Sequence, residues 1–332
     1  MEINEYERFC EFNGTFMQSV MWAQVKANWK HETIVVRNDS GEIIGSMLVL
    51  IKKLPIINRT MFYAPRGPVC DMHNNEVLCE IFNQLRVLAK KYRAYTVKID
   101  PMIDITDTKA VENLKALGFI HHPERLGYDT VQCRENYMMD IDGKNAEEVF
   151  ENFKPKWRYN IRLAQRKGVT CNFYGEEAID DFVSLMRETS ERDGFNMRGG
   201  EYFKALLRSF PKNSGLCMCY LGDIPLSGSL YINYAGTMSY VYGCSSNQYR
   251  NYMPNYLMQW TMIKHACESG CKIYDFCGIP YWYDETHKNY GVYRFKQGFG
   301  GYIKTYAGEF DYNFCPITAF AAEKAMRLRQ LL

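Results

Sequence analysis

The sequence predicts an α/β (α+β) fold with mixed sheets, built from two copies of one unit. A helix-to-strand segment at residues 293–301 has a shorter counterpart at residues 114–119, and their Gly-Phe pairs lie 180 residues apart. Pro101 recurs as Pro280 after 179 residues. A chance match of one dipeptide would not extend to its neighbours at nearly the same spacing, so the repeat indicates a duplication.

Both halves follow the same order of elements. A tight turn joins two strands, and the second strand begins at Gly45-Ser46 in one half and at Gly228-Ser229 in the other. A long helix follows, which apolar periodicity predicts over about residues 76–91 and about residues 255–269. A strand, a short helix, the Gly-Phe pair and a last strand complete each copy.

This order resembles the acyl-CoA N-acetyltransferase (GNAT) fold repeated in tandem. A length of 332 residues with 47% apolar content supplies two cores more readily than one. We expect a first domain formed by residues 1–142 and 309–332, and a second domain formed by residues 143–308. The last segment includes an amphipathic helix predicted over residues 318–332, in which Arg327 and Arg329 flank leucines. This helix either packs on the first domain or docks at a membrane surface.

Charge and composition exclude several classes of protein. The chain has 40 basic and 38 acidic residues, so a polyanion has to bind at a local patch. The acidic start of the chain is unlike a secretory signal, and no apolar run approaches the roughly 20 residues of a membrane span. We therefore expect a cytoplasmic protein. Twelve cysteines without a Cys-x-x-Cys pair predict free, mostly packing thiols, and we predict neither a metal site nor a cofactor.

A GNAT-like fold suggests coenzyme A as a ligand, but this sequence lacks the loop that is expected to bind it. Its pyrophosphate needs a Gly-rich loop of backbone N–H groups before the long helix. Residues 63–71 contain two prolines, which remove such donors, and residues 242–254 contain no Gly-x-Gly. The pattern favours a different acyl donor, and an ordinary acyl-CoA N-acyltransferase is kept as an alternative.

A basic helix is predicted between Pro155 and Gly168, which suit its first turn and its end. Residues 154–167 include six basic side chains and no acid. Three arginines recur every four positions and so form a row on one helix face: Arg158, Arg162 and Arg166. Such a row suits a nucleic-acid backbone or an anionic membrane surface. A solvated helix face without a ligand explains the row equally well.

Several motifs follow one another over almost the whole chain. They are Gln18-x-x-x-Trp22-x-x-x-Lys26, residues 63–68, 95–101 and 158–168, and a C-terminal set at 255–260, 274–279 and 293–301. Together they resemble the FemABX family of peptidoglycan bridge-forming aminoacyltransferases, which includes MurM-like enzymes. Some members carry a long helical arm in the second domain. Residues 175–210 lack a heptad pattern, so the chain resembles the short form.

The resemblance implies transfer of an amino acid from aminoacyl-tRNA to the side-chain amine of the third stem-peptide residue of a peptidoglycan precursor. The precursor is either UDP-MurNAc-pentapeptide or lipid II, and lipid II would bring the protein to the inner face of the membrane. The ester is already activated, so no Ser or Cys nucleophile is needed. The sequence does not identify the amino acid. A non-catalytic tRNA- or envelope-precursor-binding protein is a second alternative.

The reaction needs a group that stabilises the oxyanion and a group that takes a proton from the amine. The resemblance places the catalytic lysine of the family at Lys296, beside Phe295, and we expect it to face a cleft between the domains. Asp100, at a strand end, is expected to orient or deprotonate the amine, with Tyr95 on the same motif. A surface lysine paired with an acid and an ordinary Asp-Pro turn are the alternatives.

The remaining candidates bind substrates. The resemblance assigns Lys26, with Trp22 in the same motif, to the precursor phosphates in the first domain. Arg198, in a Gly-flanked segment, and Tyr242, on a strand, are further candidates for the precursor. The second domain is expected to hold aminoacyl-tRNA through the basic helix, at Lys156, Arg158, Arg162 and Arg166.

Overall fold

The computed structural model describes residues 2–55, 57–127 and 130–330, without the side chains of residues 2, 3, 323 and 325–330. The chain divides into two compact units. Unit 1 comprises Met1–Arg134 and Thr305–Leu332, and unit 2 comprises Glu135–Lys304.

The elements of unit 1 begin with helices α1 (Glu2–Asn13) and α2 (Val20–Val25), followed by β1 (Lys30–Arg37), β2 (Ile43–Lys53), β3 (Thr60–Ala64), β4 (Val69–Cys70), α3 (Asn75–Tyr92), β5 (Ala94–Ile99), α4 (Thr108–Ala116) and β6 (Ile120–His122). Unit 2 contains β7 (Glu135–Asp140), α5 (Ala146–Glu151), α6 (Pro155–Arg166), β8 (Val169–Tyr174), α7 (Ile179–Asp193), α8 (Gly200–Ser209), β9 (Ser214–Leu221), β10 (Ile224–Tyr234), β11 (Thr237–Ser245), α9 (Pro254–Glu268), β12 (Ile273–Gly278), α10 (Tyr290–Gln297) and β13 (Tyr302–Thr305). Strand β14 (Glu309–Tyr312) and helix α11 (Pro316–Gln330) complete unit 1.

The two sheets share a run of four strands in the same order along the chain, β1-β2-β3-β5 in unit 1 and β9-β10-β11-β12 in unit 2. The sheet of unit 1 has the order β1-β2-β3-β5-β14-β6, with β4 paired to β2, and the sheet of unit 2 has the order β13-β7-β12-β11-β10-β9-β8. The pairs β3–β5 and β11–β12 are parallel, and both sheets also contain antiparallel pairs. The predicted duplication with mixed sheets is therefore confirmed.

The boundaries between the units differ from the prediction at both crossings of the chain. The sequence placed residues 135–142 in the first domain, but β7 pairs with β12. It placed residues 305–308 in the second, but Ile105 N–H donates to Thr305 O at 3.0 Å. Backbone pairing with elements that are distant in sequence decides both boundaries.

The two repeated Gly-Phe pairs end corresponding helices for different reasons. Phe119 and Phe299 are both buried in the core of their unit. Gly118 has φ +94°, a left-handed conformation that disfavours a side chain. Gly298 has φ −73°, but a Cβ there would lie 1.9 Å from Cε2 of Trp157. The repeated Gly-Phe pair is therefore found in both units, but glycine is required by backbone conformation in the first copy and by lack of space in the second.

The C-terminal helix begins two residues earlier than predicted, at Pro316, and packs against β5. The predicted residues Leu331 and Leu332 and the side chains of Arg327 and Arg329 lie outside the described residues. Within the described part of the chain, no helix combines the length and apolar character needed to cross a bilayer. All twelve cysteines are free, as predicted, although Cys79 is exposed instead of packed in the core.

Candidate active site

A buried carboxylate follows strand β5 in unit 1. Asp100 is 2% exposed and accepts two short hydrogen bonds, from the Tyr63 hydroxyl at 2.6 Å and from the Arg66 backbone N–H at 2.6 Å. Burial raises its pKa to about 6, and the positive charge of Arg66 and both hydrogen bonds limit that rise. Asp100 is therefore a buried carboxyl group whose pKa lies close to neutral pH.

The turn that presents Arg66 to Asp100 is held by Gln18. The Gln18 amide donates to Pro65 O at 2.7 Å and accepts from Leu48 N–H at 2.8 Å. A Cβ at Gly67 would lie 2.6 Å from the Gln18 amide, so only glycine permits this approach. Gln18 thus fixes the position of a turn in which Arg66 has φ +56°.

Two residues that the sequence did not identify as part of the site, Tyr63 and Arg66, complete this cluster. Gln132 Nε2 donates to the Tyr63 hydroxyl at 3.2 Å. The Arg66 guanidinium donates to Cys133 O at 2.8 Å and lies 4.6 Å from the ring centroid of Tyr306. Both residues belong to the predicted 63–68 motif, which was the available signal.

Tyr95 is not part of this cluster, contrary to the expectation. The register of β5 shifts between its pairs Thr60–Ala94 and Met61–Thr96, so Tyr95 lies at a bulge. Its side chain lines a surface pocket with His122 and Asp311. Asp100 lies five positions after Tyr95, which corresponds to about 16 Å along an extended strand. We therefore remove Tyr95 from the catalytic candidates.

Trp22 and Lys26 lie together in unit 1. The Lys26 ammonium is 4.5 Å from the ring centroid of Trp22, and Phe16 packs edge-on against that ring. Trp22 is buried, and its Nε1–H has no hydrogen-bond acceptor in the described residues. A buried donor without an acceptor is costly, so the indole N–H is suited to an oxygen of a ligand or a water.

Lys296 is the corresponding buried charge in unit 2. It is 5% exposed, and its ammonium donates to Phe276 O at 2.6 Å, Gly278 O at 2.7 Å and Cys277 O at 3.3 Å. The alternative of a surface lysine paired with an acid is therefore wrong. These carbonyls lie beyond the last β11–β12 pair, Ser239–Asp275, where the parallel pairing stops. Lys296 thus caps the end of β12 beyond its pairing with β11, while Gly278 still pairs with Asn136 of β7.

Close packing surrounds the Lys296 ammonium. It lies 6.0 Å from the ring centroid of Tyr240. A Cβ at Gly243 would lie 1.6 Å from the Tyr240 hydroxyl, so the absence of a side chain there makes room for the phenol. Phe295, by contrast, packs its ring against Tyr256 and Phe299. Phe295 therefore stabilises the core beside Lys296, and the structure shows no catalytic contact for it.

Helix α6 is bonded to helix α10, which carries Lys296. Lys154 N–H donates to Gly298 O at 2.9 Å, and Trp157 Nε1–H donates to Phe295 O at 2.9 Å. The Trp157 ring also packs on Gly298. The predicted basic helix and the helix of the predicted catalytic lysine are therefore joined by hydrogen bonds and packing within unit 2.

The basic residues of α6 are available to a ligand. Lys156, Arg162 and Arg166 are exposed, while Arg158 is half-buried and donates to Glu151 O at 2.8 Å. Among the described residues, none of these four has a carboxylate within 4.0 Å. The row predicted from the four-residue spacing is thus an uncompensated positive surface.

Tyrosine rings accompany these cations. The Arg166 guanidinium lies 5.6 Å from the ring centroid of Tyr159, which is 56% exposed. The Lys167 ammonium lies 5.4 Å from the ring centroid of Tyr252, and Tyr249 packs edge-on against Tyr252. Cations beside exposed aromatic rings are typical of surfaces that bind single-stranded nucleic acid.

The structure brings Arg198 and Tyr242 together through Tyr202. The exposed Arg198 guanidinium lies 5.5 Å from the ring centroid of Tyr202, and the Tyr242 hydroxyl donates to the Tyr202 hydroxyl at 3.3 Å. Sequence reasoning missed Tyr202 because nothing in its own segment distinguishes it. In the described residues, no group of three or more His, Cys, Asp or Glu side chains is placed to hold a metal ion.

Family models and curated relatives agree on the kind of protein that this chain resembles. The model of the FemAB family matches residues 1–222 and 222–327. The lipid II:glycine glycyltransferase of Staphylococcus aureus strain USA300 is 31% identical over 374 aligned positions, covering 90% of this chain and 88% of the relative. Its counterpart from strain MRSA252 is 32% identical over the same shares. An alignment longer than 332 residues shows that these relatives contain residues that this chain lacks.

Solved structures support the fold. A crystal structure of FemX superposes with a TM-score of 0.89 and 30% identity, covering 96% of this chain and 97% of FemX. The structure of L-PGS from Bacillus licheniformis gives 0.56 at 12% identity, over 98% and 95% of the two chains. A tandem GNAT protein from the clavulanic acid biosynthesis pathway gives 0.55 at 10% identity, over 94% and 93%. The last two show the fold alone, and the likeness to the tandem GNAT protein confirms the tandem GNAT-like architecture.

Proposed function

This chain belongs to the FemAB family and is an aminoacyltransferase, and we propose that it transfers an amino acid from aminoacyl-tRNA to the side-chain amine of the third stem-peptide residue of a peptidoglycan precursor. The observation that supports this best is the pair of hydrogen bonds that join the basic helix α6 to helix α10, which carries Lys296. In the part of the chain that the structure describes, the positive charges of α6 have no carboxylate partners. A polyanionic donor bound to α6 would place its ester on unit 2, which also holds the buried Lys296 ammonium.

The donor is an RNA on unit 2. Arg158, Arg162 and Arg166 contact its phosphates, because cations without carboxylate partners gain most from replacing condensed counterions. Tyr159 and Tyr252 stack on unpaired nucleotides beside that backbone. The Lys296 ammonium stabilises the oxyanion, and its carbonyl partners fix its charge in place before the reaction.

The acceptor is on unit 1. Asp100, with a pKa of about 6, is a carboxylate at neutral pH and takes a proton from the attacking amine. Lys26 pairs with the precursor phosphates, and the unpaired Trp22 Nε1–H donates to one of their oxygens. In unit 2, Arg198 with Tyr242 offers a further contact to the precursor.

Lipid II is the acceptor that we favour, because the curated relatives are named for it. With a lipid-linked acceptor, the transfer reaction takes place at the cytoplasmic face of the membrane. Helix α11 exposes Ile317 (84%) and Phe320 (61%), and the Lys324 ammonium lies 4.6 Å from the Phe320 ring centroid. Apolar side chains beside a cation suit shallow contact with anionic lipid.

Reconstitution tests the proposal. The protein is incubated with total charged tRNA and either lipid II or UDP-MurNAc-pentapeptide, and fragment masses of the stem peptide are measured. We expect an aminoacyl increment on the third residue, on lipid II, that ribonuclease treatment abolishes. An increment from acetyl-CoA without tRNA, or no increment on either precursor, would contradict the proposal.

A further inference from the structure

The buried position of Asp100 raises the question of how a proton reaches it. Asp100 is 2% exposed, whereas Tyr63 is half-buried. The hydrogen-bond partners that the structure gives the carboxylate are the Arg66 backbone N–H and the Tyr63 hydroxyl. An amide N–H has no lone pair to accept a proton, but a hydroxyl both accepts and donates. Of these two partners, Tyr63 alone is chemically able to pass a proton inward.

The hydrogen bonds of Tyr63 leave room for one more donor. Its proton points to Asp100 Oδ2 at 2.6 Å, and one lone pair accepts from Gln132 Nε2 at 3.2 Å. A phenol oxygen accepts two hydrogen bonds. The second lone pair is therefore open to an N–H of an ammonium group, and Gln132 fixes the rotation of the phenol.

We propose that Tyr63 contacts the acceptor amine and relays its proton to Asp100. The proposal rests on the function proposed above. An N–H bond of the ammonium breaks as its proton moves to the Tyr63 oxygen, and the O–H proton of Tyr63 moves to Asp100 Oδ2. The freed nitrogen lone pair attacks the ester carbonyl. Tyr63 ends neutral and Asp100 ends as a carboxylic acid. As the ester C–O bond breaks, the leaving 3′-oxygen of the RNA takes the second proton from the tetrahedral nitrogen, which becomes the amide. Asp100 then releases its proton to water, so that one proton is released per transfer.

The electrostatics of the cluster suit a relay better than a phenolate base. Burial, together with the negative charge of Asp100, raises the pKa of Tyr63 well above its usual value. Tyr63 therefore does not ionise by itself. The charged groups facing Asp100 are Arg66, which lowers its pKa, and Glu309, which raises it. We expect kcat/KM to rise with pH through about 6 as Asp100 becomes a carboxylate.

The test is a double-mutant cycle with Tyr63→Phe and Asp100→Asn. We expect each change to lower kcat by about 10²-fold, with a smaller change in the KM for the acceptor, and the double variant to be no slower than either. The matched control is Tyr92→Phe, which removes another hydroxyl of unit 1 that is bonded to a carboxylate, Glu32. It should leave kcat within about twofold, as expected of a residue outside the reaction.

A result in which Tyr63→Phe transfers within twofold of the wild type, or in which the two losses multiply, would overturn the relay. If Tyr63→Phe does not fold, 3,5-difluorotyrosine at position 63 keeps the shape and changes the acidity of the phenol. An unchanged kcat in that protein would also overturn it, and a changed kcat would support it. A wild-type protein without aminoacyl transfer would refute the proposed function itself, which is a separate outcome.

Discussion

The ends of β5 and β12 occupy the same place in the two copies of the unit but carry opposite charges. In unit 1, β5 pairs with β3 as far as Ala64–Ile99, and the buried acid Asp100 follows. In unit 2, the β11–β12 pairing stops at Ser239–Asp275, and the buried ammonium of Lys296 takes the remaining carbonyls. The duplicated sheet has been kept, while its strand ends have diverged into an acidic and a basic site.

The largest effect is expected from Lys296→Ala. It removes the charge assigned to the oxyanion and leaves three carbonyl groups without their donor, so we expect kcat to fall by about 10³-fold. The measurement is single-turnover transfer from aminoacyl-tRNA. Lys264→Ala, an exposed lysine beside Glu268 on α9, is the matched control and should be neutral. Equal activity of the two variants would show that the buried ammonium of unit 2 has no part in the reaction.

Asp100→Asn should have the next largest effect, about 10²-fold on kcat, because the acceptor amine loses its base. Asp223→Asn, at an exposed turn, serves as its control. An Asp100→Asn protein with wild-type kcat at all pH values would show that the acid of unit 1 has no part in the reaction.

Asp100 should also leave a signature in stability. Its folded pKa of about 6 exceeds the ordinary aspartate value of 3.8, so the native state binds more protons than the unfolded state between these values. The free energy of unfolding should therefore fall as pH rises from about 4 to about 6, by about 3 kcal/mol. Denaturant titrations should show this fall in the wild type and lose it in Asp100→Asn. The same pH dependence in both proteins would contradict the buried carboxylate.

Two glycines, Gly291 in α10 and Gly298 directly after it, provide a comparison with a smaller expected effect. Gly298→Ala places a methyl group against Trp157 and should destabilise the protein by about 1 to 3 kcal/mol. Gly291→Ala, with open space around it, should stabilise α10 by up to about 1 kcal/mol. Thermal unfolding of the two variants measures the difference. Equal shifts would mean that contact between α6 and α10 does not constrain Gly298.

The smallest effect is expected from Tyr95→Phe. Tyr95 lies at the opposite end of β5 from Asp100, so loss of its hydroxyl should change kcat by less than about twofold. Steady-state transfer assays measure it. A loss comparable with that of Asp100→Asn would restore Tyr95 to the catalytic set.

The sequence predicted the features that depend on local pattern. The long helix of each copy, the limits of α6 and the arginine row on one face of it follow from periodicity, Pro155 and Gly168. The sequence did not predict features that depend on the pairing of strands distant along the chain. Strands β7 and β14 join sheets that no local signal identifies, which displaced both boundaries.

Prediction of the site divided in the same way. Asp100 and Lys296 were named from motifs, and both prove to be buried charges. Tyr63 and Arg66 were not assigned, because their bonds to Asp100 depend on a turn that Gln18 holds from another part of the chain. Tyr95 was misplaced because it lies near the start of β5, at a register shift, whereas Asp100 follows the other end of the strand.

The most direct test of the account compares two ligands on two variants. The ligands are an RNA microhelix with a non-hydrolysable aminoacyl 3′ end and the precursor, and the variants are Arg162→Gln/Arg166→Gln in unit 2 and Lys26→Ala in unit 1. We predict that the arginine variant weakens only the RNA and reduces its log–log salt slope by about 1.5, and that Lys26→Ala weakens only the precursor. RNA affinity that is unchanged by the arginine variant but reduced by Lys26→Ala would contradict the assignment of donor and acceptor to the two units.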